Sequence, residues 1–71
     1  MKNKKAIGHK LRELRGEKTM QQVADDIGIS KSAINMYENG ERIPRDEIKV
    51  KFAKYYGLSV EAIFFDCTEH I

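Results

Sequence analysis

The stretch 20–37, MQQVADDIGISKSAINMY, constrains what this chain can fold into more than any other part of it. Val23, Ala24 and Ile27 fall at i, i+1 and i+4, on one face of a helix. Gly28 follows at the point where a helix end asks for positive φ, which glycine adopts without a Cβ penalty. Ser30 then offers a side-chain oxygen to cap a second helix, whose inward positions are Ala33, Ile34 and Tyr37. Two short helices joined by so brief a turn cross steeply, and the second projects outward. An ordinary αα-hairpin also carries a glycine between amphipathic helices. Here, though, Val23, Ala24, Ile27, Gly28, Ile29, Ile34 and Tyr37 meet the helix-turn-helix offsets together. Ala24 is also small where the second helix must cross closely.

The rest of the chain reads as three further helices and no strand. Ile7, Leu11 and Leu14 mark the inner face of a first helix that stops at Gly16, with the opening MKNKK frayed. Thr19 and Gln22 have the spacing of a capping box at the start of the second helix. The third spans 31–39 and ends at Asn39-Gly40. Ile43-Pro44 imposes extended backbone on the loop that follows. A fourth helix begins near Arg45 or Asp46, turns Ile48, Phe52, Ala53 and Tyr56 to one side, and stops at Gly57. Ser59 caps a short fifth helix from 60 to about 65, and residues 66–71 form an irregular tail. The expectation is one all-α domain of five helices over residues 1–71.

Composition excludes more than it selects. Thirteen Lys and Arg against 11 Asp and Glu leave a net charge of +2, too little to mark a nucleic-acid binder by charge alone. Placement is uneven, however: Lys2, Lys4, Lys5, Lys10, Arg12 and Arg15 crowd the first fifteen positions beside the single acid Glu13. No apolar run approaches the ~20 residues that span a bilayer. Cys67 is the sole cysteine, so no intrachain disulfide can form and a reducing, cytoplasmic setting is expected. No metal, cofactor or catalytic centre is expected either. Cys67 and His70 supply only two ligands at C-x-x-H spacing, His9 stands at the far end of the chain, and the glycines are scattered rather than gathered in a phosphate loop.

Three segments, LRELRGEKT, QQVADDIGISKSAINMYENGERIPRDE and KFAKYYGLSVEAIF, together give the chain a close resemblance to the repressor/Cro-type (XRE-like) helix-turn-helix family of phage and bacterial regulators. The resemblance implies five helices, operator binding and dimerisation. It also implies that Arg15, late in the first helix, pairs with Glu38, late in the third, as a clamp on the recognition helix. Two departures stand out: Met20 occupies a position where the family commonly has glutamine, and Glu41 follows the Glu38-Asn39-Gly40 triplet where a basic residue is common.

On this reading the outward positions at the start of the third helix, Lys31, Ser32, Asn35 and Met36, face the bases of double-stranded DNA. Lys31 can donate to guanine O6 and N7 or to phosphate, Asn35 can make a bidentate contact with adenine, Ser32 can donate or accept, and Met36 offers apolar contact to a thymine methyl. Gln21, Ser30, Asn39, Arg42 and Arg45 are placed for the sugar-phosphate backbone. For Arg42 and Arg45 the plain alternative is a surface ion pair with Glu41, Asp46 or Glu47.

Ile63, Phe64 and Phe65 are consecutive on a short helix and cannot all face one core, which points to a homodimer interface there. Ile71 folding back over the spare ring is the alternative. The expected function is therefore a transcriptional repressor that binds a palindromic operator as a homodimer, with no small-molecule substrate and no membrane partner. The competing reading is a protein-docking module, antitoxin-like or coregulator-binding, that uses the same scaffold without reading sequence.

Overall fold

Each helix start but one is set by a short polar side chain. The computed structural model describes residues 3–65 and contains α1 (Lys4–Arg15), α2 (Met20–Ile27), α3 (Lys31–Glu38), α4 (Asp46–Tyr56) and α5 (Val60–Phe64), with no strand among the described residues. The backbone N–H groups of Ala6, Gln22, Ala33 and Ala62 donate to the side-chain oxygens of Asn3, Thr19, Ser30 and Ser59 at 2.8–3.0 Å. Each such cap satisfies an orphan donor of the first turn and contributes about 1 kcal/mol. α4 has no side-chain cap, and Asp46 and Glu47 in its first turn meet the positive end of the helix dipole instead.

Asn3 explains a shift in the first boundary. α1 starts at Lys4 and runs 12 residues, so Lys4 and Lys5 of the stretch expected to fray lie in its first turn. Between α2 and α3, Gly28 adopts φ 88° and its N–H closes onto the Ala24 carbonyl at 2.8 Å, which ends α2 in a left-handed cap.

The core draws on every helix. Ile7 and Leu11 of α1, Val23, Ala24 and Ile27 of α2, Ile34 and Tyr37 of α3, Phe52 and Ala53 of α4, and Ile63 and Phe64 of α5 are buried together. Phe52 is the hub: its ring meets Tyr37 edge-on at 6.1 Å, stacks on Tyr56 at 6.2 Å and leans on Phe64 at 6.3 Å between centroids. Contacts of this kind add ~0.5–1.5 kcal/mol each beyond the area they bury.

One expectation about packing is corrected here. Ile63 and Phe64 are 0% exposed, so neither offers a surface to a second subunit. α5 sits against both α1 and α4, and a helix wedged between two neighbours buries consecutive positions that a single packing face could not take. Phe65 is half-buried in extended backbone at the end of α5, its ring centroid 5.4 Å from the Lys49 ammonium. In α4, Ile48 and Tyr56 pack against the core beside the buried Phe52 and Ala53, as expected, and Lys49 is buried with them. Its aliphatic stem lies inside while its ammonium stays near the Phe64 ring and 3.7 Å from Asp46 Oδ1. The exposed large hydrophobics of the described residues are Val50 and Leu58. The expected tail 66–71, with Cys67, His70 and Ile71, lies outside the described residues.

Candidate nucleic-acid interface

α3 rests on α1 and α2 through Ile34, Tyr37 and Glu38, which leaves the opposite side of its first turns open to solvent. Lys31, Ser32 and Asn35 are exposed on that side and Met36 is half-buried beside them. No hydrogen bond or ion pair holds the side chain of Lys31 or Ser32 among the described residues, so their donors are available to a ligand. Asn35 is different. Its Oδ1 accepts from Asn39 Nδ2 at 3.1 Å, one helical turn on, which leaves the Asn35 amide N–H groups turned away from that bond.

The start of α2 comes up against this face. Met20, the first residue of α2, lines one shallow notch together with Lys31, Ser32 and Asn35. Met20 therefore borders the exposed face of α3 although it belongs to α2. Gln21, expected at the backbone, is exposed but turned along its own helix, with Nε2 donating to Asp25 Oδ1 at 2.9 Å. Ser30 is exposed, and its oxygen is occupied as the cap acceptor of α3 while its O–H remains able to donate.

In the loop after α3, Asn39, Arg42 and Arg45 are all exposed. Neither arginine side chain makes an ion pair or hydrogen bond among the described residues, and Asp46 turns to Lys49 rather than to Arg45. Glu41 is exposed between them. His9, by contrast, faces solvent on α1 with Nε2 3.3 Å from Glu13 Oε2.

Beneath the exposed face is a polar clamp. Arg15 Nε donates to Glu38 Oε2 at 2.8 Å and Nη2 donates to Glu38 Oε1 at 3.0 Å, a bidentate pair between the last turns of α1 and α3. The Glu38 side chain is 3% exposed and that of Arg15 15%. The bond to Glu38 raises the Arg15 pKa. Arg15 Nη1 also donates to the Lys18 carbonyl at 2.7 Å, which ties the α1–α2 turn to the same clamp.

A second bridge, invisible in the sequence pattern, runs from that turn to α4. Lys18 Nζ donates to the Tyr55 hydroxyl at 3.0 Å, and that hydroxyl donates to Asp26 Oδ2 at 2.6 Å. The Tyr55 bond raises the Lys18 pKa. Tyr56, next along, has a buried hydroxyl with no hydrogen-bond partner among the described residues. Burial, and then the nearby Glu38 carboxylate, push its pKa up to about 12. The two bridges tie α1 to α3 and the α1–α2 turn to α2 and α4.

Residues 10–63 match the family model described as helix-turn-helix. A curated relative, the cryptic phage CTXphi transcriptional repressor RstR of Vibrio cholerae, is 36% identical over 64 residues, which cover 87% of this chain and 58% of the relative. A protein of the same description from Vibrio cholerae serotype O1 is 41% identical over 46 residues, covering 65% of this chain and 41% of that relative. The chain thus spans about half the length of these relatives. No solved structure gives a significant match.

Proposed function

Because the chain belongs to the repressor/Cro-type helix-turn-helix family, we propose that it is a sequence-specific DNA-binding transcriptional repressor. It seats α3 in the major groove and acts as a homodimer on a palindromic operator. The observation that carries this reading is the open face of α3, where Lys31, Ser32 and Asn35 are exposed on a helix whose opposite side is clamped through Glu38. A face rich in donors, convex and rigidly backed, complements the acceptor-rich edges of the major groove. The relative described as a phage transcriptional repressor supports the same role.

Lys31 donates to guanine O6 and N7, Ser32 to a neighbouring base edge, Asn35 to adenine, and Met36 covers a thymine methyl. Arg42 and Arg45, whose side chains have no partners among the described residues, take phosphates on one side, with Asn39 beside them. Ser30 and Gln21 take phosphates on the other, where the free N–H groups at the start of α2 also favour an anion. Val50 and Leu58, exposed on α4 and just after it, supply apolar surface for the second subunit. Repression follows from occupying the promoter and needs no cofactor.

Selection of bound fragments from random duplex, followed by titration against salt, tests the proposal. The expected result is an inverted repeat with half-site centres about 34 Å apart. Affinity should also fall linearly with log salt, with a slope near −0.9 per phosphate contact. Absence of enrichment, or binding indifferent to salt, would overturn it.

A further inference from the structure

The chemistry of the notch beside α3 goes beyond the contacts proposed above. Three of its walls bear donors: the Lys31 ammonium, the Ser32 hydroxyl and the Asn35 amide. The fourth is Met20, an unbranched thioether with no donor and no charge. Met20 is half-buried and packs against the core, so its stem is anchored while part of its surface faces the notch. Among the major-groove edges of the four bases, thymine alone sets a hydrogen-bond acceptor, O4, beside a methyl group at C5. Guanine presents two acceptors and no methyl, and adenine and cytosine each present an amino donor and no methyl.

We infer that Met20 is a specificity-determining residue that receives the C5-methyl of a thymine in each half-site while Ser32 or Lys31 donates to O4 of the same base. This inference rests on the proposed docking of α3 in the major groove. It assigns base readout to the first residue of α2, where a polar side chain would grip a phosphate instead. Met36 does not line the notch, so the thymine read by Met20 is a different one from any that Met36 covers.

The test uses the selected operator and copies in which each thymine in turn is replaced by deoxyuridine, which removes the methyl and keeps O4. Binding is measured for the whole chain, for Met20→Ala, for Met20→Gln and for Met36→Ala, with thermal melts to verify folding. Met20→Gln keeps side-chain length and helix propensity, so it still reads the effect if Met20→Ala does not fold. The unaltered chain should lose about fourfold in affinity at one thymine per half-site besides any that Met36 covers, the value of one buried methyl group. The loss should vanish in both Met20 variants and persist in Met36→Ala. A selected operator with no sensitive thymine, or a loss that remains in the Met20 variants, overturns the role of Met20 and leaves the DNA-binding proposal standing. Failure to select any operator overturns both.

Discussion

Gly8 of α1 lies so close to the last turn of α3 that a β-carbon on it would fall 2.7 Å from the carbonyl oxygen of Tyr37. The Glu38 carbonyl is nearer still. No side chain can occupy that space, so the missing Cβ sets how closely α1 approaches α3.

Gly8→Ala therefore destabilises the fold. In a solvent-facing helix the change would help by roughly 0.5–1 kcal/mol. Here the backbone carbonyls cannot yield as a flexible side chain would, and overpacking costs ~1–3 kcal/mol. Urea denaturation should show a lower midpoint. An unchanged or raised midpoint would mean that α1 and α3 are not packed as described.

Removal of Arg15 strands a carboxylate that is 3% exposed. Arg15→Met, which keeps the aliphatic stem, should cost about 3 kcal/mol by leaving Glu38 buried without its cation. Arg15→Met combined with Glu38→Met should cost less than the two single changes added together, because the stranded charge is gone. Denaturant titration of the three variants checks this, and strict additivity would contradict the clamp.

Tyr56 links stability to alkaline pH. Its pKa is pushed up from an ordinary 10 to about 12 in the fold. The unfolded chain loses that proton first, so the contribution is complete below pH 10 and is lost as pH rises towards 12. The side chain is not fully buried, so solvent screening trims the effect. Between pH 9 and pH 11 the protein should lose about 1 kcal/mol more than Tyr56→Phe does. At neutral pH the phenylalanine variant should match or exceed the parent, since it removes a buried hydroxyl that has no partner among the described residues. Equal losses in parent and variant between the two pH values would contradict this assignment.

These effects divide by whether their cause is local. Helix boundaries are legible because caps and stops act over three or four residues: Thr19 with Gln22, Ser30 with Ala33 and Ser59 with Ala62 are each complete within one turn. The five-helix class and the helix-turn-helix follow from the same short-range signals. Asn3 is the exception, a cap concealed by the lysines that follow it. What local pattern does not encode is the crossing of one element over another. Nothing around Gly8 announces that α3 passes against it, and nothing around Ile63-Phe64 announces that α5 has neighbours on two sides. Lys49 is legible as a charge but not as a buried stem, because that depends on the Phe64 and Phe65 rings brought up from α5. The same holds for the site. Lys31, Ser32 and Asn35 stand out by helical periodicity, whereas Met20 joins them only through the crossing of α2 and α3.

Readout and grip should separate in the binding data. Asn35→Ala should cost ~1–3 kcal/mol on the selected operator and relax preference at one base position. Arg42→Ala should weaken all sequences alike and lower the salt slope by about 1. Competition binding against single-base variants distinguishes the two, and an unchanged base preference in Asn35→Ala would remove it from the reading set.

The central claim is that the open side of residues 31–36 is the surface that meets DNA. Backbone amide mapping by NMR, as the selected duplex is titrated into the labelled protein, tests it most directly. The largest shifts should fall on residues 30–36, on Met20 and Gln21, and on the loop carrying Arg42 and Arg45, with the outer face of α4 unaffected in any step not shared with dimerisation. Shifts centred on α4 and α5, with residues 31–36 unmoved at saturation, would contradict the account.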